Sequence, residues 1–333
     1  MNNPAQPRRY SFVIVGFEGD AGLLCLQARS MRLYCPPELI EEIIIVDNGL
    51  KEWRGNLSRH YGSLARFVRI VPAASIAVLP PDAGGWYTQQ ALKINVAEII
   101  RSERYVVLDA KNHMIRQLGR EFLETPSGQP RLSGHAYTNH PMREYLERTL
   151  KYLDIDPQEH IRWFTQTHPP FTILTSEACE LIRQIEQKED RPFASAFLDR
   201  ELSEFFLYSG FLVSKGTLRR IYHLEQPGGP EIWPEDASEN GCAKAIERAS
   251  RTESPFMTVH RKAIQKMDKG GQRLIAEFWY SRGLFATAKD GVRFLRDPNR
   301  SYQNRDGQVV SWPISQIVSR FSSRSERHLQ TLA

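Results

Sequence analysis

The residue types best suited to chemistry follow a short apolar run in the middle of the chain. The run Tyr105–Leu108 leads into Asp109, and Lys111, Asn112 and His113 come directly after it. A run of this length suits a buried strand and is too short for a core helix. Open α/β sheets bind ligands at the carboxyl ends of their strands. The stretch therefore indicates a polar site at a strand end, although a helix cap or turn is an equal alternative for Asp109.

The preceding sequence predicts the elements that position this strand. Two apolar runs, Tyr10–Gly16 and Glu42–Asn48, are predicted strands, and Ala21–Leu33 between them is a predicted helix. A third strand is expected at Arg66–Val71, and a helix at Trp86–Ile100 leads into the central strand. Strands that alternate with helices predict a mostly parallel sheet covered on both faces.

The second half of the chain is less regular and is broken by proline and glycine. A helix is expected around Met142–Leu153, a strand at Pro170–Leu174, and a helix at Ser176–Lys188 with Ser176 as its N-cap. The segment Leu198–Val213 places a group of acids before an aromatic helix. Pro255–Val259 is a predicted strand, from which one long helix is expected to continue to Gly283.

The tail beyond Lys289 is polar except for one predicted helix with an apolar face. That face carries Ile314, Ile317, Val318 and Phe321, with Arg320, Arg324 and Arg327 nearby. Such a helix can rest on a membrane surface or pack against the domain, and packing is the preferred interpretation.

Composition excludes some classes of function but does not identify one. The chain has 333 residues, 41% of them apolar, which is enough for a real core. No stretch resembles a membrane span or a signal peptide, so a cytoplasmic protein is expected. The four cysteines are scattered, which indicates neither a zinc site nor disulfides. A net charge of +5 without dense basic blocks argues against nucleic-acid binding and suits phosphate-bearing substrates.

Five segments, taken in order, resemble one enzyme family. YSFVIVGFEGD, EIIIVDNG, GWYTQQALKI, YVVLDAKNH and the later LSEFFLYSGFL are similar to segments of bacterial GT-A-type glycosyltransferases, in patches from about Tyr10 to Leu284. The resemblance implies a GT-A-like (Rossmann-like) α/β fold, with a mostly parallel sheet flanked by helices and a helical C-terminal extension. It also implies transfer of a sugar, hexosyltransferase-like, from a nucleotide-sugar donor to a glycan or lipid-linked hydroxyl, in bacterial surface polysaccharide synthesis.

The family's metal-binding Asp-x-Asp is altered here to Asp109, Ala110 and Lys111. A lysine removes an oxygen ligand that a hard cation needs and supplies a fixed positive charge. Lys111 is therefore expected to replace Mn²⁺ or Mg²⁺ at least in part, and metal dependence stays open. Asp109 is then left to bind the donor or to hold Lys111. If a metal is bound, Asp109 and His260 are its expected ligands.

The resemblance also suggests a general base and a set of donor contacts. Glu204 is the preferred base, and this choice favours inverting transfer. Asp199 and Glu201 are its rivals, because acids also favour a helix start for its dipole alone. Phe17 can stack on the base, and Gln90 and Lys93 share one helix face towards the sugar and diphosphate. The predicted donor-binding residues are Phe17, Glu18, Asp20, Asp47, Trp86, Gln90, Lys93, Asn112, His260 and Arg261.

The predicted organisation is a glycosyltransferase domain at 1–288 with an extension at 289–333. Within the domain, 10–116 is the nucleotide-sugar-binding half and 117–288 the acceptor half. Two alternatives remain: a sugar nucleotidyltransferase, for which FEGDAG is a poor phosphate loop, and a non-catalytic module that binds nucleotide sugar or glycan. Contact with a membrane surface is an alternative to packing on the domain, and it would be made through the C-terminal segment.

Overall fold

The computed structural model describes residues 8–49, 54–80, 83, 85–225 and 228–299. The strands of this part are β1 (Tyr10–Gly16), β2 (Ile40–Asp47), β3 (Val68–Pro72), β4 (Arg104–Leu108), β5 (Asn112–Met114), β6 (Gly134–His135), β7 (Phe164–Thr165), β8 (Phe171–Leu174), β9 (Glu231–Ile232) and β10 (Phe256–Val259). Its helices are α1 (Ala21–Tyr34), α2 (Arg54–His60), α3 (Gly85–Asn95), α4 (Arg120–Leu123), α5 (Arg143–Tyr152), α6 (Thr175–Glu189), α7 (Phe193–Asp199), α8 (Glu204–Ser214), α9 (Leu218–Ile221), α10 (Glu239–Arg251), α11 (Arg261–Lys266), α12 (Lys269–Ser281) and α13 (Ala288–Arg296).

The central sheet has five strands in the order β3-β2-β1-β4-β8. The first four are parallel, with Val13 of β1 opposite both Ile44 and Val107. The last strand, β8, is antiparallel to β4. The α/β class with a mostly parallel sheet flanked by helices, expected from the sequence, is confirmed.

Side-chain alternation along β1 divides the interior into two cores. Phe12 and Ile14 point to the face covered by α1 and α10–α13, and Val13 and Val15 to the face covered by α3 and α6–α8. A strand buried on both faces has no polar side to present to solvent. This explains why the predicted strands appear as unbroken apolar runs rather than as alternating patterns.

A second sheet, which the sequence did not predict, begins where β4 ends. It has the order β5-β10-β9, with β5 antiparallel and β9 parallel to β10. Since β5 begins only four positions after Leu108, the turn of Asp109, Ala110 and Lys111 joins the two sheets. The predicted site residues of this turn therefore lie at a junction that is held by both sheets.

Two local predictions were wrong. Ser176 does not cap α6: the helix begins at Thr175 and its N-cap position is Leu174. The long helix expected after Pro255–Val259 is divided into α11 and α12. Asp268 stands at the break, where its Oδ1 accepts a hydrogen bond of 2.6 Å from the backbone N of Gly271 and so starts a new helix.

The end of the described chain packs on the domain. Helix α13 places Phe294 and Leu295 in the core on the Phe12 face of the sheet, which we call the first core, and both side chains are essentially buried. The predicted tail helix that carries Ile314 and Phe321 lies outside the described residues. Among the helices of the described ranges, none combines the length and apolarity that crossing a bilayer requires.

Candidate active site

A rigid turn holds Asp109 at the end of β4. The backbone N of Asp109 donates to Asn112 Oδ1 over 2.7 Å, and Asn112 Nδ2 donates to Thr258 Oγ1 of β10 over 3.0 Å. Gln27 of α1 donates from Nε2 to the backbone oxygens of Asp109 and Asn112. Asn112 is fully buried, so the predicted donor contact acts in this structure as a brace for the turn.

Lys93 of α3 connects the two carboxylates on which the sequence analysis concentrated. Its Nζ lies 2.7 Å from Asp109 Oδ1 and 3.1 Å from Glu204 Oε1, although Lys93 itself is only 4% exposed. Burial alone would lower the pKa of Lys93, but the two carboxylates raise it above its usual range. Three elements, α3, β4 and α8, are thereby joined by one ammonium group.

The ammonium group of Lys111 contacts the other carboxylate oxygen of Asp109. Its Nζ is 3.1 Å from Asp109 Oδ2 and 4.9 Å from the centre of the Trp233 ring. Burial would raise the pKa of Asp109, but Lys93 and Lys111 together hold it well below its usual range. Asp109 is therefore a permanent anion between two cations, and Lys111, with a side chain 19% exposed, is the cation that borders solvent.

Glu204 is the one of the three candidate bases that reaches this cluster. It is the first residue of α8 and 5% exposed. Burial raises the pKa of Glu204, and the opposing effect of Lys93 only reduces that rise. Asp199 instead pairs with Arg191 at 2.8 Å, and Glu201 with Arg148 at 2.6 Å, both with largely exposed side chains.

We call Lys93, Asp109, Lys111 and Glu204 the charged cluster. The cluster adjoins a second group of predicted residues. Arg261 Nη1 is 3.4 Å from Asp20 Oδ1, and its guanidinium lies 5.1 Å from the centre of the Phe17 ring. Burial raises the pKa of Asp20, which also responds to the charges of Arg261 and Asp109.

His260 caps α11 and packs on Trp233. Its Nδ1 accepts from the backbone N of Lys262, and its ring stacks on Trp233 with centres 5.2 Å apart. Burial, followed by the charges of Lys111 and Lys262, lowers the pKa of His260 to about 4, so the ring is neutral near pH 7. Trp233 was not predicted as a site residue, and its one signal in the sequence is a lone tryptophan in a loop rich in glycine and proline.

Other predicted residues lie apart from the cluster or are engaged in the fold. Asp47 accepts from the backbone N of Gly49, and the backbone O of Glu18 accepts from Asn299 Nδ2. Gln90 is 2% exposed, and its Nε2 donates to the backbone O of Trp86. His113 is buried and accepts at Nε2 from Trp279 Nε1 over 2.8 Å, which makes it a link between β5 and α12.

The residues present do not fit the divalent cation that the family resemblance implies. A hard cation needs several oxygen ligands, yet both oxygens of Asp109 already face lysine ammonium groups. Within the described ranges, no group of three His, Cys, Asp or Glu side chains is arranged to hold a metal ion. The fixed positive charge at this strand end comes from lysine.

Sequence comparison identifies a family without a known function. The model of the family described as "Family of unknown function (DUF6492)" matches residues 22–239, so the chain belongs to that family. The matched range contains the whole charged cluster and ends before His260 and Arg261. No curated protein matches the chain.

Solved structures that resemble the fold include several glycosyltransferases. An active-site mutant of LgtC is 12% identical, with 81% of this chain and 95% of that chain covered and a TM-score of 0.48. The bifunctional glycosyltransferase WbbM is 12% identical, with 90% and 52% covered and a TM-score of 0.49. Mouse xyloside xylosyltransferase 1 is 13% identical, with 76% and 98% covered and a TM-score of 0.37. Likeness at this level argues for neither an activity nor a substrate.

Proposed function

We propose that this protein transfers a sugar, hexosyltransferase-like, from a nucleotide-sugar donor to a hydroxyl of a glycan or lipid-linked acceptor, as in the synthesis of bacterial surface polysaccharides. The observation that carries the proposal is the charged cluster at the carboxyl end of β4, where Lys93 links Asp109 to Glu204 and Lys111 borders solvent. The segments that resemble GT-A-type glycosyltransferases supply the residues of this cluster, and the mostly parallel sheet is the one that the resemblance implies.

The cluster contains the charges that such a reaction needs. Breaking the bond between the anomeric carbon and the diphosphate leaves negative charge on the phosphates, and a preorganised cation stabilises it. Lys111 is suited to this role because Asp109 and Trp233 hold its ammonium group in place. Arg261, which lies over Phe17, adds a second cation on the side where the nucleoside is expected.

Glu204 supplies the base. A carboxylate whose pKa is raised by burial takes a proton from an acceptor hydroxyl more readily than an exposed one. Lys93 keeps Glu204 from being an uncompensated buried charge, and Asp109 keeps both lysines oriented. Attack by the deprotonated hydroxyl on the face opposite the diphosphate inverts the anomeric configuration.

The first experiment is a thermal-shift panel of UDP, GDP, CDP, CMP and their sugars. We expect one nucleotide family to raise the melting temperature, because a ligand that binds only the folded state stabilises it. The shift is expected to be the same in EDTA and in Mn²⁺, since lysines provide the positive charge. A shift that appears only with Mn²⁺ would contradict the role given to Lys111, and no shift with any nucleotide would contradict the proposal itself.

The second experiment replaces the base. In Glu204→Gln we expect nucleotide binding to survive while transfer falls by about 10²–10⁴-fold, the usual contribution of a general base. Asp199→Asn is the matched control, because Asp199 pairs with Arg191 at the surface and should leave transfer unchanged. Transfer that persists in Glu204→Gln would assign the base elsewhere.

One observation favours a non-catalytic nucleotide-sugar or glycan-binding module as the second candidate. Both carboxylates of the cluster are already paired with lysines in the free protein, an arrangement that also serves structure alone. A binding module predicts a thermal shift with nucleotide sugars but neither transfer nor donor hydrolysis in the unmodified protein.

A further inference from the structure

Three aromatic side chains pack together at the starts of α3 and α5, with Trp86 exposed and Tyr87 and Tyr145 partly buried. Trp86 is 43% exposed and makes edge contacts with Tyr87 and with Tyr145, whose ring centres lie 4.7 and 5.4 Å away. Trp86 and Tyr87 lie in the first turn of α3, and Tyr145 in the first turn of α5. We call these three residues the aromatic platform. Large apolar side chains with this exposure are rare in the described residues, with Val78 and Tyr280 as the others.

The helix α3 leads from the platform directly to the charged cluster. Trp86 and Lys93 are seven residues apart and therefore lie on one helix face, about 10 Å apart along the axis at 1.5 Å per residue. Lys93 Nζ contacts both Asp109 and Glu204. Lys93 is buried and Gln90, on the same face, is 2% exposed, so this spacing gives the distance of the platform from the cluster along the helix.

The helix α5 gives the same direction independently. Tyr145 and Thr149 are four residues apart and share a face, about 6 Å apart along the axis. Thr149 Oγ1 accepts a hydrogen bond of 3.4 Å from the backbone N of Ser203, the residue before Glu204. Two helices thus place the platform on the Glu204 side of the cluster, whereas Arg261 marks the Phe17 side.

The chemistry of the platform suits a sugar rather than a phosphate or an apolar chain. Flat aromatic faces pack against the C–H face of a pyranose, and polar groups at the edge bind its hydroxyls. Here the edge is formed by Arg148 and Glu201, which pair at 2.6 Å, and the Arg148 guanidinium is 5.5 Å from the Tyr145 ring centre. A charged rim this close to a small aromatic surface disfavours an apolar protein partner.

We infer that the aromatic platform binds a sugar of the acceptor beyond the one that reacts, so that the acceptor is an oligosaccharide, free or lipid-linked. The span from Trp86 to Lys93 is longer than one sugar ring and within the reach of a short oligosaccharide. The inference rests on the proposed function and moves Trp86 from the donor set of the sequence analysis to the acceptor side.

The test compares Trp86→Ala and Tyr145→Ala with Tyr280→Ala, a control that removes an equally exposed aromatic residue from α12. Saturation-transfer NMR and calorimetry measure binding of maltotriose, cellotriose, chitotriose and their monosaccharides at millimolar concentrations. We expect a trisaccharide to bind the unmodified protein more tightly than its monosaccharide. Truncation at Trp86 or Tyr145 should weaken that binding about tenfold or more, as for other aromatic anchors, and Tyr280→Ala should not. Trp86→Phe should restore part of the affinity.

The outcomes separate this inference from the proposed function. Nucleotide thermal shifts serve as the second readout and should be equal in all four variants. Nucleotide binding with trisaccharide binding that is absent, or unaffected by Trp86→Ala and Tyr145→Ala, would overturn the acceptor platform and leave the transferase standing. Trisaccharide binding that depends on Trp86 without any nucleotide binding would keep the sugar surface and reject the transferase, and with it the acceptor role.

Discussion

Lys93 is the residue on which the candidate site depends most. It is nearly buried and its only described ionic partners are Asp109 and Glu204, so its removal leaves Asp109 paired with Lys111 and the buried Glu204 without its cation. Removing one partner of a buried ion pair is far more costly than removing the whole pair, because an uncompensated charge is left behind. Lys93 therefore supports the fold as well as the chemistry.

We predict that Lys93→Met lowers the free energy of unfolding by about 3–5 kcal/mol. The double variant Lys93→Met with Glu204→Gln should be less destabilised than the sum of the two changes, because Asp109 keeps Lys111. Lys215→Met is the surface control: Lys215 also pairs with two acids, Glu177 and Glu180, but should cost about 1 kcal/mol or less. Urea unfolding is measured for the unmodified protein and the four variants Lys93→Met, Glu204→Gln, the double variant and Lys215→Met. A loss in Lys93→Met no larger than that in Lys215→Met would contradict this account.

The sequence identified the members of the cluster and included contact between Asp109 and Lys111 as one alternative, but it did not predict that Lys93 joins Asp109 to Glu204. Helical spacing placed Gln90 and Lys93 on one face, and the strand end marked Asp109 and Lys111. Glu204 lies 111 residues from Lys93 along the chain, and no local pattern reports such a contact. For the same reason Trp233 and Tyr145, which complete the surroundings by tertiary packing, were missed.

At the level of elements, the bond between His113 and Trp279 ties β5 to α12. His113 accepts from the indole N–H, which requires a neutral ring nitrogen. Burial lowers the pKa of His113 to about 4 from the ordinary 6.5. Between pH 4 and 6.5 the unfolded chain binds a proton at His113 that the folded protein does not. The stability that comes with a neutral His113 is therefore complete above about pH 6.5 and is lost as the pH falls towards 4.

We predict that the free energy of unfolding decreases on acidification through this interval, with His113 contributing at most about 1.4 kcal/mol per pH unit. His113→Gln should make the dependence shallower, while His60, His135 and His260, whose pKa values are also lowered to about 4, maintain the rest. Trp279→Phe removes the donor but keeps the histidine and should retain the slope. Urea unfolding at pH 4.5, 5.5 and 6.5 measures the dependence of the free energy of unfolding on pH. An unchanged slope in His113→Gln would show that the buried ring does not titrate as described.

Elements with enough residues to show a pattern were predicted closely. The strand Tyr10–Gly16 was predicted with its exact bounds, and the helix expected at Ala21–Leu33 ends at Tyr34. Strands of two to four residues, such as β5 and β9, carry no periodicity, so the second sheet was not predicted. The break before α12 did have a signal, since Asp268 three residues before Gly271 is a typical N-cap arrangement.

At the level of the whole molecule, the predicted boundary at residue 288 coincides with the start of α13. The helix contributes Phe294 and Leu295 to the first core, and Asn299 Oδ1 accepts from the backbone N of Gly22 at the start of α1. The last described segment therefore connects the C-terminal helices to the first helix of the chain.

We predict that the chain 1–287 is less stable than the chain 1–299 by several kcal/mol, as expected when buried Phe and Leu side chains are lost from a core. Comparing two truncations keeps residues 300–333 out of the difference. Phe294→Ala should reproduce about 3–5 kcal/mol of the loss, and Arg296→Ala, at an exposed position of the same helix, should not. Equal unfolding midpoints for the two truncations would support the separable extension at 289–333 instead.

The charged cluster has a consequence for the protein at rest. An acidic centre built from paired aspartates needs a counter-ion before its charges are balanced. Here Lys93 and Lys111 offset Asp109 and Glu204, and the four charges sum to zero within the chain itself. With Lys111 at the position where the Asp-x-Asp motif would have its second carboxylate, the strand end carries its own counter-ions, and the charges of the cluster are balanced before any ligand binds.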